Sequence, residues 1–209
     1  MQTIRAASVH CSLRGDWLPS LTYTGRCAVR HTMTLEQFWS IVDGVHQASN
    51  GGMDRKCKLL AAELRKLGLD EARSFHAHFN ECFDRAYTWD LWAAAYIIGG
   101  GCSDDGYSDF RSTLISMGRQ TYERAVADPQ SLADINYDAE TAQYEGYQYV
   151  PTTVETELSG GQKFPRTRPH PDGPSGQPWD EDKVAELYPT LAKKYAYGAS
   201  PRPWWKIWR

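Results

Sequence analysis

Residues 89–106, WDLWAAAYIIGGGCSDDG, decide the fold of this chain. Residues 89–98 are apolar on most sides, which predicts a central helix that is more buried than its neighbours. Consecutive glycines break a helical pattern, so Gly99–Gly101 should end that helix. Ser103 or Asp104 can then cap the next helix through its side-chain oxygen.

The residues before this stretch predict three more helices. Thr34 and Gln37 have the spacing of a capping box, so a helix is expected over about 34–48. A second helix, rich in leucine between positions 59 and 67, should end at Gly68. Asp70 is the expected N-cap of a third helix.

Helices are also expected after position 106. Apolar spacing predicts helices that start near 107 and 119, the second of them closed by Asp128-Pro129. Shorter helical segments are expected around 131–135, over 139–149 and from Pro151 to Leu158.

These patterns predict a mainly α fold, with many helices packed into a compact single domain. The expected divisions are an irregular N-terminal extension at 1–32, the helical domain at 33–158, a Pro/Gly-rich linker or surface excursion at 159–178, C-terminal helices packed on the domain at 179–195, and a Trp-rich basic tail at 196–209. The extension and the linker should be peripheral.

Composition excludes several classes of protein. No apolar run in the 209 residues approaches the roughly 18–20 residues of a membrane helix, and the N-terminus has no apolar segment of the secretory type. The five cysteines are widely spaced and fit a reducing compartment better than a disulfide framework. We therefore expect a cytoplasmic protein without a transmembrane segment.

Charge is distributed unevenly around a formal net charge of −3. Residues 1–31 carry four arginines and one aspartate, and residues 193–209 carry five basic side chains and no acid. The body between them is strongly acidic. An acidic surface repels phosphate groups, so duplex nucleic acid is not an expected partner of the body.

The stretch from Trp89 to Leu132 resembles a bacterial family of uncharacterised proteins, catalogued as a domain of unknown function. The matching positions are Trp89, Asp90, Trp92, Gly100, Cys102, Ser103, Asp104, Asp105, Gly106, Phe110, Arg111, Gly118, Arg119, Pro129 and Leu132. The resemblance covers roughly 33–158 and implies a predominantly helical fold, but no activity. Family members often begin near a segment like residues 33–39, MTLEQFW, which makes 1–32 an extension.

The glycine loop at 99–106 and the helix after it form the candidate ligand site. Its residues are Gly100, Gly101, Cys102, Ser103, Asp104, Asp105, Arg111 and Arg119, with Asp90, Trp89 and Trp92. Glycines admit a ligand close to the backbone, and free N–H groups with an arginine fork suit a phosphate or carboxylate. The two aspartates instead favour a cation or a sugar hydroxyl. The pattern matches no P-loop, dinucleotide or EF-hand motif.

The alternative is that this loop is structural. Ser103 or Asp104 would then cap the helix, and Asp105 or Asp109 would pair with an arginine. Asp90, between two tryptophans, would need a donor such as Arg85, Arg111 or Arg119 if it were buried, because an unpaired buried carboxylate is costly.

Thiol and metal chemistry find little support in the sequence. Cys102 lies at a helix start, where its thiol pKa would be lowered, but no histidine is nearby to act as a base. His78 and Cys82 are one turn apart and could both reach a zinc ion, yet no further ligand motif accompanies them. A solvated histidine and a core cysteine are the preferred interpretation, and we predict no metal and no cofactor.

The end of the chain, PRPWWKIWR, provides a candidate contact surface. Its residues are Trp204, Trp205, Lys206, Trp208 and Arg209. They suit a membrane interface, single-stranded bases or a groove on a partner, and packing on the domain itself is equally simple.

The preferred functional hypothesis is a non-catalytic cytosolic binding or regulatory module with a protein partner, because no complete catalytic constellation is present. The alternative is an enzyme or a small-ligand receptor for an anionic or metal-bound ligand at the glycine loop. A third hypothesis is nucleic-acid or membrane contact through the tail. A deep pocket with converging Asp and Arg side chains would favour the second hypothesis, and a filled loop would favour the first.

Overall fold

The computed structural model describes residues 32–135, 137 and 141–198. These residues form a helical domain and contain no β-strand, which confirms the mainly α prediction. The tail residues Trp204, Trp205, Lys206, Trp208 and Arg209, and all of the N-terminal extension except Thr32, lie outside the described residues.

Nine α-helices follow one another along the described chain. They are α1 (Leu35–Ser49), α2 (Met53–Leu67), α3 (Leu69–Arg85), α4 (Trp89–Gly99), α5 (Asp104–Ser116), α6 (Arg119–Ala127), α7 (Val150–Leu158), α8 (Val184–Leu187) and α9 (Pro189–Lys194). Short 3₁₀ helices lie at Pro129–Asp134, Tyr147–Tyr149 and Glu181–Lys183.

Local signals define the first helices. The Thr34 hydroxyl accepts the Gln37 backbone N–H at 3.2 Å, and the Gln37 side chain accepts the Thr34 N–H at 2.7 Å, so the capping box is present. The third helix differs from the prediction. It begins at Leu69, directly after Gly68, and Asp70 lies in its first turn. A carboxylate there still interacts favourably with the helix dipole without acting as the cap.

The most extensively buried helix is α5, whereas α4 was expected to hold that place. Along α5, Tyr107 and every residue from Asp109 to Ser116 are buried, while α4 exposes Asp90. The Ser112 hydroxyl donates to the Asp109 carbonyl at 3.0 Å, and the Ser116 hydroxyl donates to the Thr113 carbonyl at 2.7 Å. Hydrogen bonds within the helix thus allow a polar sequence to enter the core, which apolar periodicity does not detect.

The segment before α7 is less helical than expected. Residues 141–146 form turns, and only Tyr147–Tyr149 is a 3₁₀ helix before α7 begins at Val150. Pro151 lies in the first turn of α7, where a missing N–H costs nothing.

The Pro/Gly-rich segment lies along α3 and the start of α4. We call residues 164–175 the strap. Asp84 of α3 accepts from the Arg166 guanidinium at 2.8 Å, and it lies 2.8 Å from Nδ1 of His170. The Ser175 N–H donates to the Tyr87 carbonyl, and the Ser175 carbonyl accepts the Trp89 N–H, both at 2.9 Å. The strap is therefore attached to the junction between α3 and α4.

The last helices lie against α4. Contacts join α4 to both α8 and α9. The Trp179 indole N–H donates to the Trp89 carbonyl at 2.9 Å, and the Tyr195 hydroxyl donates to the Tyr137 carbonyl at 2.7 Å. Apolar burial at Val184 and Leu191 completes this packing.

Candidate functional site

The glycine loop makes a sharp turn between α4 and α5. Gly100 and Gly101 have φ angles of 63° and 132°, which L side chains rarely adopt. The Trp92 indole N–H donates to the Cys102 carbonyl at 3.1 Å. The Ser103 side chain accepts the Gly106 N–H at 3.2 Å, so Ser103 is the N-cap of α5.

The side chain of Gln143 fills the space beside this loop. Its Nε2 donates to the Gly101 carbonyl at 3.2 Å. A Cβ added to Gly99 would lie 2.3 Å from that Nε2, and a Cβ on Gly106 would lie 2.5 Å from its Oε1. The space beside these glycines is therefore occupied by a side chain of the same protein. Gln143 was absent from the predicted site, because no local pattern links it to the loop.

The aspartates at the start of α5 differ in their exposure to solvent. Asp104 and Asp105 are exposed, and Asp109 is buried. The Gln148 amide donates to the Asp109 carboxylate at 2.6 Å. Burial, with the nearby charges of Glu145 and Asp105, raises the Asp109 pKa to about 6.

Arg111 takes no part in a loop site. It is 2% exposed, and its guanidinium lies 3.9 Å from the Phe83 ring centre and 4.3 Å from that of Tyr87. It donates to the Phe83 carbonyl at 3.0 Å and to the Ser108 hydroxyl at 3.2 Å. Burial lowers its pKa to about 10. The described residues place no carboxylate within ion-pair distance of this cation.

Arg119 lies at the other end of α5, at the start of α6. Its backbone N–H donates to the Asp43 carboxylate at 2.8 Å, and its side chain is exposed beside Asp43 and Glu36. Within the described residues neither Arg111 nor Arg119 forms an ion pair with Asp104 or Asp105. The structure does not bring the predicted arginines and aspartates together.

Asp90 also lacks the arginine partner that was considered for it. Its side chain is exposed, so it needs no buried donor, and Arg85 instead forms an ion pair with Glu123 at 2.6 Å. Trp89 and Trp92 are half-buried and stack on each other with ring centres 5.2 Å apart. They belong to the packing between α4 and its neighbours.

Cys102 is not an activated thiol. Burial, followed by the charges of Asp109 and Asp104, raises its pKa to about 12. A thiol that stays protonated at neutral pH is a poor nucleophile.

His78 and Cys82 of α3 are both buried in the core. His78 is buried, with Nε2 2.9 Å from the Met33 carbonyl, so the interpretation of a solvated histidine was wrong. Cys82 is buried, and burial raises its thiol pKa to about 12. In the part of the chain that the structure describes, no three His, Cys, Asp or Glu side chains are arranged to hold a metal ion.

Sequence reasoning missed the surface around α2. One groove, of about 350 Å³, lies between α1 and α2, and its lining residues are Ser40, Ile41, Gly44, Val45, Ala48, Leu59, Ala62, Glu63 and Lys66. A second, of about 460 Å³, lies between α2 and the start of α7, and its lining residues are Cys57, Lys58, Ala61, Arg65, Gly146, Tyr149, Val150, Thr153 and Val154. We call α2 with these two grooves the α2 face.

The α2 face had a signal in the sequence. Small residues recur every fourth position on α1, at Ser40, Gly44 and Ala48, and they leave room beside α2. Basic residues also recur along α2 within an acidic body, and a charge pattern of this kind can mark a contact surface.

Residues 33–155 match the model of the protein family described as "Protein of unknown function (DUF4240)". The chain belongs to this family. The DUF4240 match includes α1 to α6, the glycine loop and most of α7, whereas the strap, α8 and α9 follow it. No curated protein and no solved structure matches the chain. None of the described helices has the length and hydrophobicity needed to cross a membrane.

Proposed function

We propose that this DUF4240 protein is a non-catalytic binding module that takes an acidic amphipathic segment of a partner protein on its α2 face. One observation carries the proposal. The described residues expose four large hydrophobic side chains, and two of them belong to this face: Leu67, 38% exposed at the end of α2, and Tyr149, 53% exposed in the lining of the second groove. Exposed apolar side chains beside a groove are typical of a protein contact surface.

The antiparallel packing of α1 and α2 brings the start of α1, with the 38% exposed Leu35, to the same end of the helix pair as Leu67. The helices are joined by the short connection at 50–52 and pack against each other as an antiparallel pair. Leu35 begins α1 and Leu67 ends α2, so both lie at the same end of the α1–α2 groove. An amphipathic helix could place apolar side chains along the groove and between these leucines.

Charge defines the chemistry of the partner. Lys58 lines the second groove, and Arg55 is exposed on the same helix. Lys66 lines the first groove, where it forms an exposed ion pair with Glu63 at 3.0 Å. Neither Arg55 nor Lys58 forms an ion pair within the described residues. Basic groups around an apolar floor favour acidic side chains around an apolar stripe, and they accelerate association with such a segment.

The enzyme hypothesis at the glycine loop has less support, because Gln143 fills the space beside the loop and both arginines make other contacts.

We also propose that the protein acts in a bacterial cytoplasm. The free thiols of Cys57, Cys82 and Cys102 support a reducing compartment. The tail hypothesis concerns residues outside the described part of the chain and stays a prediction.

A peptide titration tests the binding proposal. The probe is a helix-forming peptide with leucines at i, i+3, i+4 and i+7 and glutamates on the other face, compared with a scrambled peptide of the same composition. Fluorescence anisotropy should detect binding of the patterned peptide, weakened at high salt because exposed charges are screened. Equal binding of the scrambled peptide would overturn the proposal.

Charge-reversed variants locate the binding surface. Lys58→Glu with Lys66→Glu should weaken peptide binding by about tenfold or more. The matched control, Lys183→Glu with Lys193→Glu, changes the same number of exposed lysines elsewhere and should leave affinity unchanged. Leu67→Glu tests the apolar part separately. If both the Lys58→Glu, Lys66→Glu double variant and Leu67→Glu bind the peptide as the wild type does, the α2 face is not the docking surface.

A further inference from the structure

We infer that α3 carries a second docking surface, independent of the α2 face, for an extended segment of a partner protein that has the chemistry of the strap. In this chain the strap itself lies on that surface and competes with such a partner. Residues at helical spacing on α3 line the space beneath the strap, and aromatic rings adjoin them. We call these residues the α3 face: Arg73, Ala77, Asn80, Phe83, Asp84 and, just after the helix, Tyr87.

Two side chains of the strap bind to charged groups of the α3 face. The Arg73 guanidinium lies 3.9 Å from the centre of the Phe164 ring, a distance at which a cation is attracted to an aromatic ring. The Arg166 guanidinium donates to both carboxylate oxygens of Asp84, each at 2.8 Å. Hydrogen bonds between two charged groups are stronger than those between neutral ones. The α3 face therefore binds an aromatic residue and an arginine two positions apart.

His170 provides the third contact. Its Nδ1 lies 2.8 Å from the Asp84 carboxylate, and its ring stacks on that of Tyr87 with ring centres 5.2 Å apart. Prolines lie between and beside the three contacting side chains and favour an extended backbone. Surfaces lined by aromatic rings commonly bind proline-containing segments in this form. The expected partner segment therefore carries an aromatic residue, an arginine and a histidine at the spacing of positions 164, 166 and 170.

Contacts outside the strap position the α3 face. Glu155 of α7 lies 3.7 Å from the Arg73 guanidinium. The Arg111 guanidinium lies 3.9 Å from the Phe83 ring centre and 4.3 Å from that of Tyr87. The family match at 33–155 also includes the whole α3 face and ends before the strap. A surface that is already ordered loses little conformational entropy when a partner binds.

The strap is held on the α3 face with little burial. No residue of the strap is buried, and only Phe164, Arg166 and Pro174 are half-buried. Because little apolar surface is removed from water, the strap gains little from the hydrophobic effect. Its attachment to the chain instead gives it a high effective concentration, about millimolar for a short flexible connection. A partner segment that adds contacts beyond those of the strap can therefore displace it.

A labelled peptide of residues 163–172, KFPRTRPHPD, tests the surface on the full chain. In the wild type the attached strap should exclude most of the peptide. Arg166→Ala with His170→Ala weakens the strap and leaves the α3 face unchanged. Fluorescence anisotropy should show that this variant binds the peptide at least tenfold more tightly than the wild type, since apparent affinity rises with the fraction of open sites. Equal affinity for the two proteins, or no binding to the variant, would overturn the inference.

A control variant and an altered peptide make the test specific. Thr167→Ala with Arg168→Ala changes two exposed strap residues that make none of these contacts, and this protein should bind the peptide as weakly as the wild type does. A peptide with alanine in place of both Arg166 and His170 should lose at least tenfold in affinity for the weakened variant. If it binds as well as the native peptide, the inference fails.

A further substitution locates the bound peptide. Asp84→Asn, added to the weakened variant, should reduce peptide affinity by at least tenfold, because the carboxylate that accepts from Arg166 is lost. Unchanged affinity would place the peptide elsewhere and contradict the α3 face. Circular dichroism checks that each variant is folded. If Arg166→Ala with His170→Ala does not fold, His170→Ala alone gives the same comparison and should bind the peptide at least threefold more tightly than the wild type.

Discussion

The side-chain oxygen of Gln143 lies 2.5 Å from the position that a β-carbon on Gly106 would occupy. The same side chain donates to the Gly101 carbonyl at 3.2 Å. Gln143 therefore contacts the α4–α5 turn from outside, and a side chain at Gly99 or Gly106 would displace its amide. The glycine-rich sequence suggests free space beside the loop, and the Gln143 amide occupies that space.

A double-mutant cycle can measure this relationship. Gly106→Ala should destabilise the fold by about 0.5–1.5 kcal/mol, because the Gln143 amide must turn away from the added methyl and lose its hydrogen bond to the Gly101 carbonyl. In a Gln143→Ala background the same change should be neutral or slightly stabilising, since alanine is the better helix residue. Urea unfolding of the four proteins gives the coupling free energy. Equal costs in both backgrounds would show that the contact with Gln143 is not the cause.

This contact explains why the candidate site was only partly predictable. A cap of α5 at Ser103 or Asp104 followed from local chemistry, and the structure has Ser103 in that place, where its hydroxyl accepts the Gly106 N–H. Gln143 is 42 residues from Gly101, and a single glutamine carries no periodic signal. The glycine turn was therefore visible in the sequence, but its contact with Gln143 was not.

The buried ammonium of Lys56 should make stability depend on alkaline pH. It donates to the Ser116 hydroxyl at 3.1 Å, and burial lowers its pKa from 10.5 to about 8. Between these values the unfolded chain binds more protons than the folded one, so this group makes the unfolding free energy rise with pH. Lys56→Met should be more stable than the wild type by about 1–3 kcal/mol at pH 7.

Urea unfolding at pH 7 and pH 9.5 checks the Lys56 prediction. The advantage of Lys56→Met should shrink at the higher pH, where the wild-type folded state no longer carries the charge. Lys58→Met, on the exposed side of the same helix, is the control and should show no such trend. A constant difference between wild type and Lys56→Met at both pH values would contradict the assignment.

Asp109 should make the unfolding free energy depend on pH in the acidic range. Its pKa is raised from 3.8 to about 6, so the folded state binds more protons between these values, and the unfolding free energy falls as pH rises through them. Asp109→Asn keeps an acceptor for Gln148 and removes the buried charge. The variant should be more stable than the wild type by about 1–3 kcal/mol at pH 7.5 and nearly equal to it at pH 4.

The exposed Asp105 provides the comparison for Asp109. Asp105→Asn should change the unfolding free energy by less than about 0.5 kcal/mol at either pH, apart from a small relief of its charge on Asp109. Chemical unfolding followed by tryptophan fluorescence is sufficient for both variants. If Asp109→Asn lost stability at pH 7.5, the carboxylate would be making an interaction stronger than its burial cost.

Cys102 should resist alkylation in the folded protein. With a pKa of about 12, its thiolate is scarce at pH 8, and the thiolate is the reactive form. Mass spectrometry after brief iodoacetamide treatment should find the Cys102 peptide largely unmodified. The same peptide should react fully in guanidinium chloride. Rapid labelling of the native protein would revive the thiol hypothesis.

In the fold as well, features set by contacts within one helical turn were predictable, and features set by contacts between distant residues were not. Helix starts at Thr34 and Ser103 were set by contacts within one turn and were correctly expected. The burial of α5 depends on hydroxyls that bond within the helix and on Arg111 stacked against rings of α3 and the α3–α4 junction. Those contacts join distant parts of the chain, so hydrophobic spacing could not show them.

The Ser175 hydroxyl adds one long contact of 3.5 Å to the Tyr87 carbonyl, but the two shorter hydrogen bonds that attach Ser175 to the α3–α4 junction join main-chain groups. Such bonds are indifferent to the identity of the side chains, so the amino acids around Ser175 can diverge widely while the path of the chain is kept. Proline is the exception, because at position 175 or 89 it would remove the N–H that each bond needs. Proteins that share this architecture can therefore carry dissimilar straps, and an alignment would recognise them better by spacing than by residue identity.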